Sequence, residues 1–240
     1  MPRTPKKRTS SRKLPVFLTQ AEEAALLAQV STKSTTGLRD RAMLQVMLGG
    51  GLRVGETVNL YPADIDFAEG TVRVNDGKGG VDRIVPVDGE TLAHLRAWSE
   101  KRKGLGVNGR QPFFCRIRTN AGATPLAAGE GITTRTVGAL VHRLAREAGL
   151  EKNVHPHVLR HTYACRLLDR GLPITDVQQA LGHTNLATTL IYLHANPVGL
   201  KQRVQGQPAA PDPQVAAAIT ALAGLSADQR QALVAALGGK

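Results

Sequence analysis

Aromatic residues are scarce in this sequence, at 3%. That argues against a platform on which single-stranded nucleic acid stacks base by base. Cysteine is nearly missing as well. Cys115 and Cys165 lie far apart among apolar neighbours, which fits buried free thiols in a reducing compartment and neither a disulfide framework nor a metal knuckle. No apolar run is long enough to span a bilayer. The N-terminus is basic but lacks the apolar core of a signal peptide. There is no internal repeat of any period. These absences lead us to expect a soluble cytoplasmic protein with no membrane partner.

What the chain has is positive charge. Its formal charge is +12 and its pI is near 10.3, a balance that favours a polyanionic partner, most commonly nucleic acid. Half of that charge equals the six basic residues Arg3, Lys6, Lys7, Arg8, Arg12 and Lys13, which stand in the first 13 positions with no acid among them. Two prolines and several hydroxyl residues accompany them. Residues 1–14 are expected to be a disordered basic arm that contacts DNA phosphates, or more blandly a solubilising tail. A folded domain is expected over 15–204. Residues 205–240 read as a linker, "QGQPAAPDP", and a tail of two short Ala/Leu-rich helices.

Within that domain the first helix is announced by Thr19 with Glu22 three residues later, a capping-box pattern. A second helix fits "LRDRAMLQVMLGG", and "LRVGETVNL" a short third with Arg53 near its start. "TVRVNDGKGGVDRIVPV" reads as a hairpin whose strands alternate on Val72, Val74 and Ile84. Lys78 stands in its glycine-rich turn. A helix follows over 89–102, then a loop-like stretch over 119–133. From 134 the chain is helical almost throughout. Pro173 opens one helix and Gly182 closes it, and another fits "NLATTLIYLH".

One of these helices poses a chemical problem. "HPHVLRHTYACRLLDRG" sets His157, Arg160 and His161 within an arc of about 100° on a helix that is otherwise apolar nearly all round. Burying a guanidinium without a partner is costly, so an acidic side chain or an anionic ligand must face it. His157 and His161, four apart, also have the spacing of a metal pair. No third ligand accompanies them, and no metal or other cofactor is expected.

"HPHVLRHT" resembles the His-x-x-Arg box of the tyrosine recombinases, the phage-integrase family. The rest of that family's set follows in order. "GGGLRVGETVNL" is similar to its first arginine box, "NDGKGGVDRIVPV" to its lysine-bearing turn, and "LGHTNLATTLIYLH" to its last box. The resemblance covers about residues 18–196. It implies an α+β, mainly α fold, a helical bundle with a small antiparallel sheet. It also implies a site-specific DNA recombinase or integrase that cuts and rejoins duplex DNA through a 3′-phosphotyrosyl link, without metal or ATP. By the same resemblance Tyr192 is the nucleophile, and Arg53 and Arg160 clamp the phosphate. Lys78 protonates the leaving oxygen. His157 assists proton removal from Tyr192, and His183 donates to a phosphate oxygen. Glu56 orients Arg53. His161 is expected to be hydrogen-bonded behind the site. Tyr61 and Tyr163 read as structural.

Members of the family usually carry a helical DNA-binding domain before the catalytic one. Only about 17 residues stand there in this sequence. The expectation is a chain that needs an accessory DNA-binding partner, binds weakly or is a truncated piece. Double-stranded DNA and a homotetramer assembled on it are the other expected partners, and the tail over 213–237 is a candidate for docking on a neighbouring protomer. Two alternatives share the fold: a non-cleaving DNA-binding accessory protein, and a type IB topoisomerase-like enzyme that relaxes DNA without strand exchange. A generic basic RNA-binding protein would explain the charge but none of the spacing.

Overall fold

The computed structural model describes residues 15–75, 82–117, 129–183, 188–190 and 192. The basic arm, the tail, Lys78 and most of the 119–133 stretch lie outside these residues. The described elements run α1 (Gln20–Ala28), α2 (Thr35–Gly49), α3 (Val54–Val58), β1 (Ile65–Asp66), β2 (Thr71–Val74), β3 (Arg83–Pro86), α4 (Gly89–Lys103), α5 (Thr134–Glu147), α6 (Pro156–Asp169) and α7 (Ile174–Leu181). Residues Thr188–Leu190 and Tyr192 are helical too. Among the described residues no helix is long and apolar enough to cross a membrane.

The starts of these helices follow from local chemistry. Thr19 accepts from the Glu22 amide while Glu22 accepts from the Thr19 amide, a complete capping box. Ser34, Asp88 and Thr133 cap α2, α4 and α5 with a single side-chain bond, each satisfying an amide that has no partner within its helix. The Ser34 cap starts α2 three residues before the stretch singled out from the sequence.

The sheet is antiparallel in the order β1–β2–β3, with Val72 opposite Val85 and Val74 opposite Arg83. Alternation in β2 holds as expected, with Val72 and Val74 buried. In β3 the inward phase falls on Arg83 and Val85, and Ile84 is 66% exposed. Reading Ile84 as the apolar position of that strand was one residue out of phase, and a one-residue slip exchanges the faces of a strand.

Helix α2 is the central element. Its second half, Ala42 to Gly49, is buried throughout, as befits a helix covered on all sides, and it packs chiefly on α4 and α6. Trp98 of α4 is fully buried and donates its Nε1–H to the Phe113 carbonyl at 2.9 Å. Both cysteines are buried free thiols. The apolar interior divides into two clusters. The larger ends at Val158 and Leu159 of α6. The smaller begins at Tyr163 and takes in α7 and Tyr192. Arg160 therefore sits at the seam between two cores.

The turn after α2 brings the backbone to that seam. Gly51 has φ +63°, and a Cβ there would lie 2.2 Å from Cδ1 of Tyr163. Tyr163 thus has a packing role, as expected. Gly51→Ala combines left-handed strain with overpacking, and should cost roughly 2–5 kcal/mol in urea unfolding. A loss under about 1 kcal/mol would show that the turn relaxes and that the close approach is not required.

Candidate active site

Arg53 occupies the cap position at the start of α3, so its side chain and the first-turn Glu56 lie on the same side of the helix. Its amide donates to Glu56 Oε2 at 2.7 Å and its Nη1 to Oε1 at 2.6 Å. Its Nη2 reaches across to the Gly182 carbonyl at 3.1 Å. The expected pairing of Glu56 with Arg53 is thus present.

A second arginine shares that carboxylate. Arg83 of β3 grips it end-on, Nη1 to Oε1 at 3.0 Å and Nη2 to Oε2 at 2.8 Å. Burial pushes the Glu56 carboxyl upward, but the hydrogen bonds from Arg83 and from the Arg53 amide outweigh it and hold it below its ordinary value. The sequence reading did not single out Arg83. The signal available was a charged residue two before Val85, on the inward phase of an alternating strand.

Arg160 is nearly buried and donates to the carbonyls of Gly51 and Leu181. Its Nη1 lies 3.8 Å from Glu56 Oε2. Burial and the neighbouring Arg53 charge bring it down to about 10, still protonated at neutral pH. The anion expected opposite this guanidinium is in part Glu56. One carboxylate faces three guanidiniums, so the cluster keeps net positive charge.

Tyr192 is 2% exposed. Its hydroxyl lies 2.9 Å from Nδ1 of His161, and its ring is stacked near that of His183, with centroids 6.3 Å apart. Burial raises the phenol above its ordinary value, with Arg160 opposing. His161 is pushed down to about 4 by burial, then by the charges of His157, His155 and Arg160. His183 is likewise lowered to about 4, by burial and then Arg160 and Arg53. Its Nδ1 meets Thr189 Oγ1 at 2.9 Å, and its carbonyl accepts from Gln178 Nε2. Gly182, left-handed at φ 61°, closes α7 and turns the chain into His183. His157 packs edge-on to His155. Among the described residues it is His161, not His157, that meets the tyrosine hydroxyl.

These side chains surround one cavity of about 340 Å³, lined by Arg53, His157, Arg160, His161, His183, Thr188 and Tyr192. Of the residues singled out from the sequence, Lys78 and the six basic residues of the arm lie outside the described residues. All the others meet at this cavity or, as Glu56 does, directly behind it. The arrangement offers a shielded hydroxyl, two neutral imidazoles and cations suited to an anion.

Residues 16–198 match the sequence model of the phage integrase family. The chain belongs to that family. It is 40% identical over 183 residues to tyrosine recombinase XerC of Xanthomonas campestris pv. campestris (strain B100), covering 76% of this chain and 52% of the relative. It is 37% identical over 182 residues to tyrosine recombinase XerD of Ralstonia nicotianae (strain ATCC BAA-1114 / GMI1000), covering 76% and 56%. The chain spans about half the length of the curated relatives it matches. The crystal structure of XerA recombinase superposes with a TM-score of 0.69 at 33% identity, over 81% of this chain and 66% of that one. The XerH site-specific recombinase bound to palindromic difH substrate, a post-cleavage complex, gives 0.67 at 25% identity, over 82% and 55%. The fold is that of a tyrosine-recombinase catalytic domain, mainly helical with a small antiparallel sheet, as the sequence led us to expect.

The two half-buried imidazoles of this integrase-family site make a pH prediction. In the unfolded chain they titrate near ~6.5; in the folded protein they stay neutral to about 4. Between those values the unfolded state binds more protons, so stability is fully present above about 6.5 and falls as pH drops towards about 4. The Tm should decline over that window, and less steeply in His183→Asn. A Tm that is flat from pH 7 to pH 4.5 would contradict the neutral assignment.

Proposed function

We propose that this chain cuts and rejoins duplex DNA through Tyr192, as a site-specific tyrosine recombinase. The observation that carries the proposal is the Tyr192 hydroxyl, 2.9 Å from a neutral imidazole in a cavity that Arg53 and Arg160 also line. Binding without cleavage gives no reason to hold a phenol in that way. Family membership and the Xer relatives support the same reading.

In this mechanism the Tyr192 oxygen attacks a backbone phosphorus, and the bond to the 5′-oxygen breaks. A 3′-phosphotyrosyl link and a free 5′-hydroxyl result. Covalent capture divides one transesterification into two and keeps the phosphodiester energy for rejoining. His161 Nδ1 accepts the phenolic proton. The phosphate charge that enters with DNA favours imidazolium and so strengthens this base. Arg53 and Arg160 take the non-bridging oxygens, whose charge grows in the transition state; planar forks that stay ionised suit that task. His183, with Nδ1 held by Thr189, turns Nε2 to a phosphate oxygen. His157 steadies the phosphate, and Lys78 supplies the proton to the leaving 5′-oxygen.

Double-stranded DNA is the proposed substrate and a homotetramer on DNA the proposed assembly, with an accessory DNA-binding partner where the chain alone binds weakly. Arg3, Lys6, Lys7, Arg8, Arg12 and Lys13 add phosphate contacts, which strengthen binding but read no sequence.

The test uses nicked suicide duplexes, from which the cleaved strand cannot be rejoined. The wild type should give a covalent protein–DNA adduct on a denaturing gel. Tyr192→Phe should give none, and Arg160→Ala should slow adduct formation by about 10²–10³-fold. A salt-sensitive gel shift without adduct in either the wild type or Tyr192→Phe would overturn cleavage by this chain.

A further inference from the structure

Arg83 has no part in the mechanism above, yet it is firmly anchored beside the cavity. Its side chain is 10% exposed, against 35% for Arg53. It occupies both oxygens of Glu56, and its Nε donates to the Ala180 carbonyl at 3.4 Å. It also lies under the turn that carries His183: a Cβ on Gly182 would come within 2.9 Å of Arg83 Cδ and Nη1. The Gly182 carbonyl in turn receives Arg53 Nη2. One side chain thus joins β3, α3 and the end of α7.

We propose that Arg83 is a positioning residue that occupies and neutralises Glu56, so that Arg53 and Arg160 direct their charge at the scissile phosphate. This rests on the recombinase reading above. The reasoning is electrostatic. Glu56 carries one negative charge among three guanidiniums. With Arg83 in place, that charge is balanced from behind and the two cavity-lining arginines remain cationic towards the pocket. Without Arg83, the carboxylate keeps only its Arg53 contacts, and Arg160 Nη1 stands 3.8 Å away, close enough to be drawn in. Glu56 would then compete with the phosphate for both arginines. A fork is needed because the grip is two parallel N–H···O bonds; a lysine gives a point charge without that geometry. The depressed Glu56 carboxyl, whose largest lowering influence is the Arg83 hydrogen bond, agrees with this.

A purely structural ion pair would support folding and leave the chemistry alone, so the test separates the two. The full chain is used, with a nicked duplex first selected from a random-sequence library by adduct formation with the wild type. Single-turnover adduct rates at saturating protein are compared for wild type, Arg83→Met, Arg83→Lys, Glu56→Gln and the double variant Glu56→Gln/Arg83→Met. Duplex affinity and Tm are measured alongside. Arg83→Met should lose about 10- to 100-fold in rate, as when a group that orients a contacting residue is removed, with affinity changed much less. Arg83→Lys should recover part of that loss. Once Glu56 is neutral, Arg83→Met should cost little more, so the double variant should match Glu56→Gln within about threefold.

A full-size Arg83→Met loss on the Glu56→Gln background, or no loss on the wild-type background, overturns the proposal. If Arg83→Met alone does not fold, the comparison of Glu56→Gln with the double variant still decides, since neither leaves an uncompensated buried carboxylate. No wild-type adduct on any duplex would overturn the recombinase reading, and this inference with it. A wild-type adduct with additive variants would overturn this inference alone.

Discussion

Four hydrogen bonds converge on the two oxygens of Glu56, and the cavity is organised around them. They come from the Arg53 amide, the Arg53 guanidinium and both arms of the Arg83 fork. A buried carboxylate is costly unless it is paired and hydrogen-bonded, and these contacts satisfy it. They also fix Arg53 against a short helix that has little stability of its own. The same carboxylate lies within 4 Å of Arg160, which brings three cations together without leaving them uncompensated. The excess of positive charge is what makes the cavity suited to an anion.

The two-part core explains why this cluster stands where it does. Helix α6 belongs to both apolar clusters, and Arg160 and His161 fall where one gives way to the other. A guanidinium there can reach backbone carbonyls from both sides, Gly51 in the turn after α2 and Leu181 at the end of α7. The last turn of a helix exposes carbonyls without intrahelical partners, which accounts for Leu181, and the left-handed turn at Gly51 presents the other acceptor a buried arginine needs. His161, one residue on, faces the smaller cluster, where Tyr192 is packed. The hydroxyl is held near cations yet shielded from water, and burial keeps it protonated against the pull of Arg160.

Much of this was legible in the sequence because it rests on short-range rules. Thr19 and Glu22 announced α1, Gly182 announced the end of α7, and the spacing of His157, Arg160 and His161 put them on one helical face. The long-range contacts were not legible. Nothing in "VDRIVPV" says that Arg83 reaches Glu56, 27 residues earlier, and the misphased reading of β3 followed from preferring Ile84 to an arginine as an inward residue. The choice between His157 and His161 as the neighbour of Tyr192 was also beyond local pattern. Both lie on the same face, and only the packing of the last described residues against α6 separates them.

Recombination through Tyr192 turns on one bond, between its oxygen and a DNA phosphorus. The most direct measurement is mass spectrometry of the covalent adduct after nuclease trimming and trypsin digestion. The peptide spanning residues 171–201 contains Tyr192 and no other tyrosine. This peptide is expected to carry the nucleotide, attached through its 3′-phosphate to Tyr192. A nucleotide on any other residue, or a 5′-phosphate linkage, would contradict it.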